Sequence, residues 1–155
     1  MKKVAAMHEA TVAFAILNKA AEALSNRFAA ELASMGNSVD VKAEGHEGHP
    51  HTSGKPRVVS IKVEIGEFRN IDPESLTFAF ESLRKDSPEL KDASLKINLV
   101  EARAICAQKH EYHPLPDSYF ACTICGGSLE TMLRGEELNI TGIELQHAND
   151  NVEGR

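Results

Sequence analysis

The stretch from Cys106 to Cys125, C-A-Q-K-H-E-Y-H-P-L-P-D-S-Y-F-A-C-T-I-C, constrains the fold of this chain more than any other. It holds all three cysteines and two of the seven histidines, His110 and His113. Cys122 and Cys125 form a C-x-x-C pair, a spacing that lets one tight turn aim two thiolates at a single metal. Gly126 and Gly127 allow the backbone to turn sharply behind them. Residues 107–121 separate Cys106 from Cys122, the usual reach of a zinc ribbon. A second C-x-x-C would need cysteine at 109, where Lys109 stands. His110, one position later, or His113 is then the fourth ligand of a Cys₃His zinc site. Three cysteines cannot all pair within one chain, and cytosolic thiols stay reduced, so metal is favoured over disulfide. Unligated buried thiols are the plain alternative. A redox C-x-x-C usually opens a helix, which the following G-G-S-L-E does not favour. A closed four-ligand site contributes folding energy and no catalysis.

With 155 residues and 42% apolar content, the chain is expected to form one globular unit with a small subdomain. Seventeen basic residues against 23 acidic ones give a net charge of −6, which argues against a nucleic-acid binder. No apolar run approaches the roughly 20 residues of a membrane span. The opening M-K-K-V-A-A-M-H-E is too soon interrupted for a signal peptide, so a cytoplasmic protein is expected.

Residues 8–35 read as a long amphipathic helix through Phe14, Leu17, Ala21, Leu24, Phe28, Leu32 and Met35, ending at Gly36. The natural reading of that stripe is core packing. Residues 36–56 form a flexible loop, rich in Gly and Pro, with His46, His49 and His51 beside Glu44 and Glu47. The loop is either a solvated linker or an auxiliary site for nickel, copper or zinc. Residues 57–67 alternate, with Val59, Ile61, Val63 and Ile65 facing one way, and give a strand. Asp72 before Pro73 is a helix start, and that helix runs to about Lys85, burying Leu76, Ala79, Phe80 and Leu83. Strands are expected at 94–104 and 136–146, the latter with a bulge at Gly142. The expected fold is α+β: two helices packed on a three-stranded sheet, with a small zinc-ribbon-like domain inserted before the last strand. The strands flanking the cysteines are expected in that one sheet. The expected division is 1–104 plus 134–147, then 105–133, with a frayed tail at 148–155.

Met7-His8-Glu9 opens the first helix. V-E-I-G-E-F follows at 63–68, I-D-P-E-S-L at 71–76 and F-A-F-E-S-L at 78–83, then the cysteine knuckle and a last strand. In this order the motifs resemble the HypA/HybF family of nickel metallochaperones, over about residues 7–146. The resemblance implies a nickel-binding domain and a structural zinc domain. It further implies delivery of Ni(II), with a HypB-type GTPase, to the [NiFe]-hydrogenase large subunit and in some organisms to urease. It makes His8 the nickel ligand, acting with nitrogens of the chain around Met7, and Glu9 its support. Asp72 is a further residue near the nickel, and Cys106, Cys122 and Cys125 are zinc ligands. A nitrogen-rich square-planar set is one that Ni(II) favours. Three features depart from the family pattern: the six residues before Met7, Lys109 in place of a cysteine, and the His-rich insertion.

The expectation is a metal-delivery chaperone, monomeric or homodimeric, and not an enzyme. The alternative is a zinc-ribbon interaction module that transfers no nickel. A metallohydrolase would need a general base, for which Glu111 is nearest, but no H-E-x-x-H motif accompanies it.

Overall fold

The protein is described here from a computed structural model covering residues 5–35 and 56–146, with the side chains of residues 8–30 described in the first helix. His46, His49, His51 and the tail at 148–155 lie outside the described residues. The elements are α1 (Ala5–Met35), β1 (Arg57–Gly66), α2 (Pro73–Leu83), β2 (Ser94–Val100), β3 (Arg103–Cys106), β4 (Glu111–Tyr112), β5 (Leu129–Arg134) and β6 (Leu138–Gln146). They form an α+β fold with two three-stranded sheets, ordered β2-β1-β6 and β4-β3-β5. No helix among the described residues is long and apolar enough to cross a membrane.

α2 starts where its sequence dictates. Asp72 is the N-cap, and its carboxylate accepts from the Ser75 N–H at 2.8 Å. Pro73 follows at the first helical position, where its missing N–H costs nothing. The helix buries Leu76 and Phe80 completely, with Ala79 and Leu83 partly covered. It ends at Leu83, and a 3₁₀ turn carries the chain through Asp86. α2 is the crossover between β1 and β2, which run parallel and so need such a connection.

α1 buries Leu17 and Leu24 as expected, but the rest of the stripe differs, and the side chains of Leu32 and Met35 lie outside the described residues. The core takes Ala13, Ile16, Leu17, Ala20 and Leu24, while Phe14, Ala21 and Phe28 face outward. The small side chains at 13 and 20 bring the helix close to its neighbours, and the true stripe continues N-terminally to Glu9, only 1% exposed. Reading the helix by its large residues alone puts the stripe one position off.

β1 carries the core of the sheet through Val58, Ile61, Val63 and Ile65, each at most 1% exposed. Val59, expected inside, points out. The pairing with β6 gives the reason. Val58 faces Leu145 and Ser60 faces Glu144, so Val59 is an extra residue that advances the alternation by one. A second bulge lies at the expected place but on the partner strand: Lys62 faces Gly142 and Val63 faces Ile140, leaving Thr141 extra.

The strand expected at 94–104 is two strands in two sheets. β2 and β6 flank β1 in one three-stranded sheet, as expected, whereas β3, at the end of the expected strand, pairs with β4 and β5 in a second sheet next to the cysteines that the sequence did not announce. The break at Glu101–Ala102 is held by the Glu67 carboxylate, which accepts from the Ala102 N–H at 3.0 Å. Here the backbones nearly touch. A Cβ on Gly66 would lie 2.2 Å from the Gly135 carbonyl carbon, and one on Gly135, at φ +114°, would lie 2.7 Å from the Ala102 Cβ. Gly66 and Phe68 donate their N–H groups to the Glu137 and Gly135 carbonyls, both at 2.8 Å.

The open face of the first sheet has an ionic centre. Three groups converge on the Glu144 carboxylate: Lys62 lies 2.6 Å from it, the Ser60 hydroxyl donates at 2.5 Å, and Lys96 lies 3.6 Å away. The Lys62 contact above all holds its carboxyl at about 2, down from the usual 4.5. A depressed folded-state value contributes stability above 4.5 that is lost as pH falls towards 2. Glu144→Gln is therefore expected to lower the thermal midpoint at neutral pH, and the difference from wild type is expected to shrink below pH 4.5 in melts followed by circular dichroism. Gly66→Ala has no room to relax against backbone, and a loss of about 1–3 kcal/mol is expected in urea unfolding.

Candidate metal centre

Two turns of the second sheet face each other. The first closes the β3–β4 hairpin, in which Ile105 pairs with Glu111. Cys106 donates its N–H to the His110 carbonyl at 3.1 Å, and the Lys109 N–H returns to the Cys106 carbonyl at 2.8 Å. Lys109 takes a left-handed conformation, φ +66°. The hairpin thus sets Cys106 opposite His110, which is why a C-x-x-x-H spacing serves where two cysteines would differ by one. The second turn repeats the pattern. Gly126 donates to the Cys122 carbonyl and Cys122 to the Gly127 carbonyl, both at 2.8 Å, with Gly126 at φ +71°.

The ligand atoms of Cys106, His110, Cys122 and Cys125 lie within 4.8 Å of one another, and among the described residues no other such group of three or more His, Cys, Asp or Glu occurs. Cys106 Sγ is 3.8 Å from Cys125 Sγ and 3.7 Å from His110 Nδ1. A disulfide would need about 2.05 Å. A tetrahedral zinc with bonds of about 2.3 Å to sulfur and 2.0–2.1 Å to nitrogen has ligand edges of about 3.8 and 3.6 Å. The donor set and its spacing fit that ion. Peptide N–H groups of His110, Ile124 and Gly127 point at the three sulfurs, each at 3.4 Å. Burial opposes ionisation of Cys122, but the peptide N–H groups of Cys125 and Ile124 and the neighbouring Cys106 and Cys125 thiols outweigh it and lower its pKa. Burial first, then the charge of the three thiols, pushes the Tyr112 hydroxyl up; that hydroxyl donates to the Phe120 carbonyl at 2.6 Å.

His113 is not in the group. Its Nε2 lies 2.8 Å from Glu67 Oε2 at the junction of the two sheets. The Ala102 N–H, followed by His113, holds the Glu67 carboxyl below the usual range. Phe68 and Phe120 meet edge to face beside it, centroids 5.5 Å apart. Glu67 lies in the V-E-I-G-E-F segment, but nothing local marks it as a junction residue. Lys109, where a cysteine was expected, reaches across to Glu130 on β5 with both Nζ–O distances 2.6 Å.

The N-terminal residues gather elsewhere. Met7 lies in α1, and His8 is exposed one residue before Glu9. Glu9 Oε1 accepts from the Asp72 N–H at 3.3 Å, and its buried Oε2 has no hydrogen-bond partner. Ser75, through the capping hydrogen bond, keeps the Asp72 carboxyl below its usual range. Glu9 and Asp72 therefore meet where the start of α1 touches the start of α2.

The family model "Hydrogenase/urease nickel incorporation, metallochaperone, hypA" matches residues 30–145. The chain belongs to the HypA family. The matched span takes in Asp72 and the whole cysteine group and begins in α1 beyond His8 and Glu9. Hydrogenase maturation factor HypA of Desulfatibacillum aliphaticivorans is 28% identical over 72% of this chain and 85% of its own length. That of Geotalea uraniireducens is 32% identical over 61% of this chain and 84% of its own. Among solved structures, the Ni metallochaperone HypA from Helicobacter pylori is 26% identical, with TM-score 0.40, over 57% of this chain and 77% of that one. Proteins of the HypA family are metallochaperones, so this chain is not an enzyme, and the family ties it to hydrogenase maturation.

His110→Ala is expected to lose most of the bound metal, whereas His113→Ala keeps it, when metal content per chain is measured by plasma mass spectrometry after dialysis.

Proposed function

We propose that this chain binds Ni(II) at the start of α1 and hands it on, with a HypB-type GTPase, to the large subunit of a [NiFe]-hydrogenase or to urease. His8 supplies the imidazole, which together with chain nitrogens near Met7 suits Ni(II). Glu9 and Asp72 support the site from behind. The observation that carries this reading is the Glu9 carboxylate: buried at 1% exposure, with Oε2 unpartnered, and joined to Asp72 directly beside the exposed His8. A buried carboxylate oxygen without a partner is costly, and a nearby cation offsets that cost.

Cys106, His110, Cys122 and Cys125 hold a structural Zn²⁺ in the same reading. The buried core of the second sheet is only Ala104, Cys106, Tyr112 and Cys122. Two of these are ligands, so packing alone supplies little, while a structural zinc contributes roughly 10–16 kcal/mol of apparent binding energy. The unit at 105–133 then depends on its metal, and the unit formed by 1–104 plus 134–147 carries the nickel. The setting of such transfer is the cytoplasm.

Titration of the chain with Ni(II) in a calorimeter tests the assignment. His8→Ala is expected to abolish the tight nickel isotherm and leave zinc content unchanged. An unchanged isotherm would remove His8 from the site. Loss of zinc as well would mean that the substitution disturbs the fold.

A further inference from the structure

β2 is an edge strand: it pairs with β1 on one side, and among the described residues nothing pairs with the other. Its inward-facing row is Leu95, Ile97 and Leu99, with the first two half-buried and Leu99 59% exposed. α2 lies above this row but does not close over it. The groove between them is floored by Leu95 and Ile97 and walled by Pro73, Thr77 and Phe78. Phe78 is 74% exposed, an unusual setting for a phenylalanine on a helix that packs on a sheet. Natural edges are guarded by lysines, inward charges, prolines or bulges. On β2 the one guard is Lys96, which turns to the open face towards Glu144, so the groove face of the edge carries none.

The rim of the groove is acidic. Glu74 and Glu81 line it from α2, and no basic side chain does. A second copy pairing through β2 would bring the glutamates of both copies together, which disfavours self-association. A strand bearing positive charge would meet them favourably.

We propose that the free edge of β2 and the groove under α2 take an extended segment of a partner protein as an added strand, whose groove-facing alternate positions carry apolar residues flanked by basic ones. Main-chain hydrogen bonds to the β2 edge supply affinity. Apolar side chains on the groove-facing side of the added strand fill the space between Phe78 and Ile97, and basic ones at the ends of that same side reach Glu74 and Glu81. One end of the groove opens at Pro73, next to Asp72. The surface stands whether or not nickel binds at His8.

The probe is a short acetylated peptide whose every second residue is, in turn, lysine, valine, valine and lysine, with threonine between them, titrated into the full ¹⁵N-labelled chain. Saturable amide shifts are expected in β2 and along α2, weakening as salt rises. Glu74→Lys/Glu81→Lys is expected to reduce affinity at least ~tenfold. Both residues are exposed, and an unchanged melting curve checks that the variant folds. A peptide methylated on alternate backbone nitrogens, added to the wild-type chain, tests strand pairing without any substitution and is expected to lose the shifts. Three results overturn the proposal: no saturable shifts in β2 and α2, binding that survives backbone methylation, or shifts that depend on protein concentration alone, which would assign the edge to a second copy.

Discussion

Four ligand atoms held within 4.8 Å by two facing turns stand at the centre of the second sheet. Its strands are short, β4 having only two residues, and its apolar core is too small to hold it. Each turn fixes its own backbone through hydrogen bonds and one left-handed residue, and peptide N–H groups point at the three sulfurs, so the four residues form a cage.

That cage is fastened to the rest of the chain at one place. β1 ends at Gly66, where the backbones of Gly66 and Gly135 and the side chain of Ala102 leave no room for another carbon. Around this contact stand the Glu67–His113 pair and the Phe68–Phe120 pair, each joining a residue just after β1 to one from the cysteine loop. Both are local and polar or edge-on, so the second sheet is oriented by few contacts. The start of α1 and the Asp72 cap belong to the opposite partner in that junction.

Much of this was legible in the sequence where chemistry is local. Asp72-Pro73 marked the start of α2, the Gly142 region marked a bulge, and the spacing of Cys106, His110, Cys122 and Cys125 marked residues whose ligand atoms meet. Where tertiary contacts decide, the sequence was silent. His113 looked equivalent to His110 until Glu67, far away in the chain, engaged it. Val59 looked buried because a bulge leaves no trace in an alternation of valines. Phe14 and Phe28 looked like core because large residues usually are, yet the helix packs through alanines and carries a buried glutamate in the same row. β5, with only Met132 half-covered, has no inward row to read.

The two bulges in the β1–β6 pair have a consequence for how the chain tolerates change. Val59 adds a residue to one strand and Thr141 adds one to the other, so the offset between the strands returns to its starting value by Ile65 and Leu138. Errors of opposite sign cancel along the ladder. The far end of the β1–β6 pair, and with it Gly135 beneath Gly66, stays in phase with the near end at Arg57 and Gln146. The two insertions therefore behave as one unit of inheritance. Removing either alone would carry the mismatch to the one contact that has no slack, whereas removing both would leave the ends aligned and merely turn over the residues between.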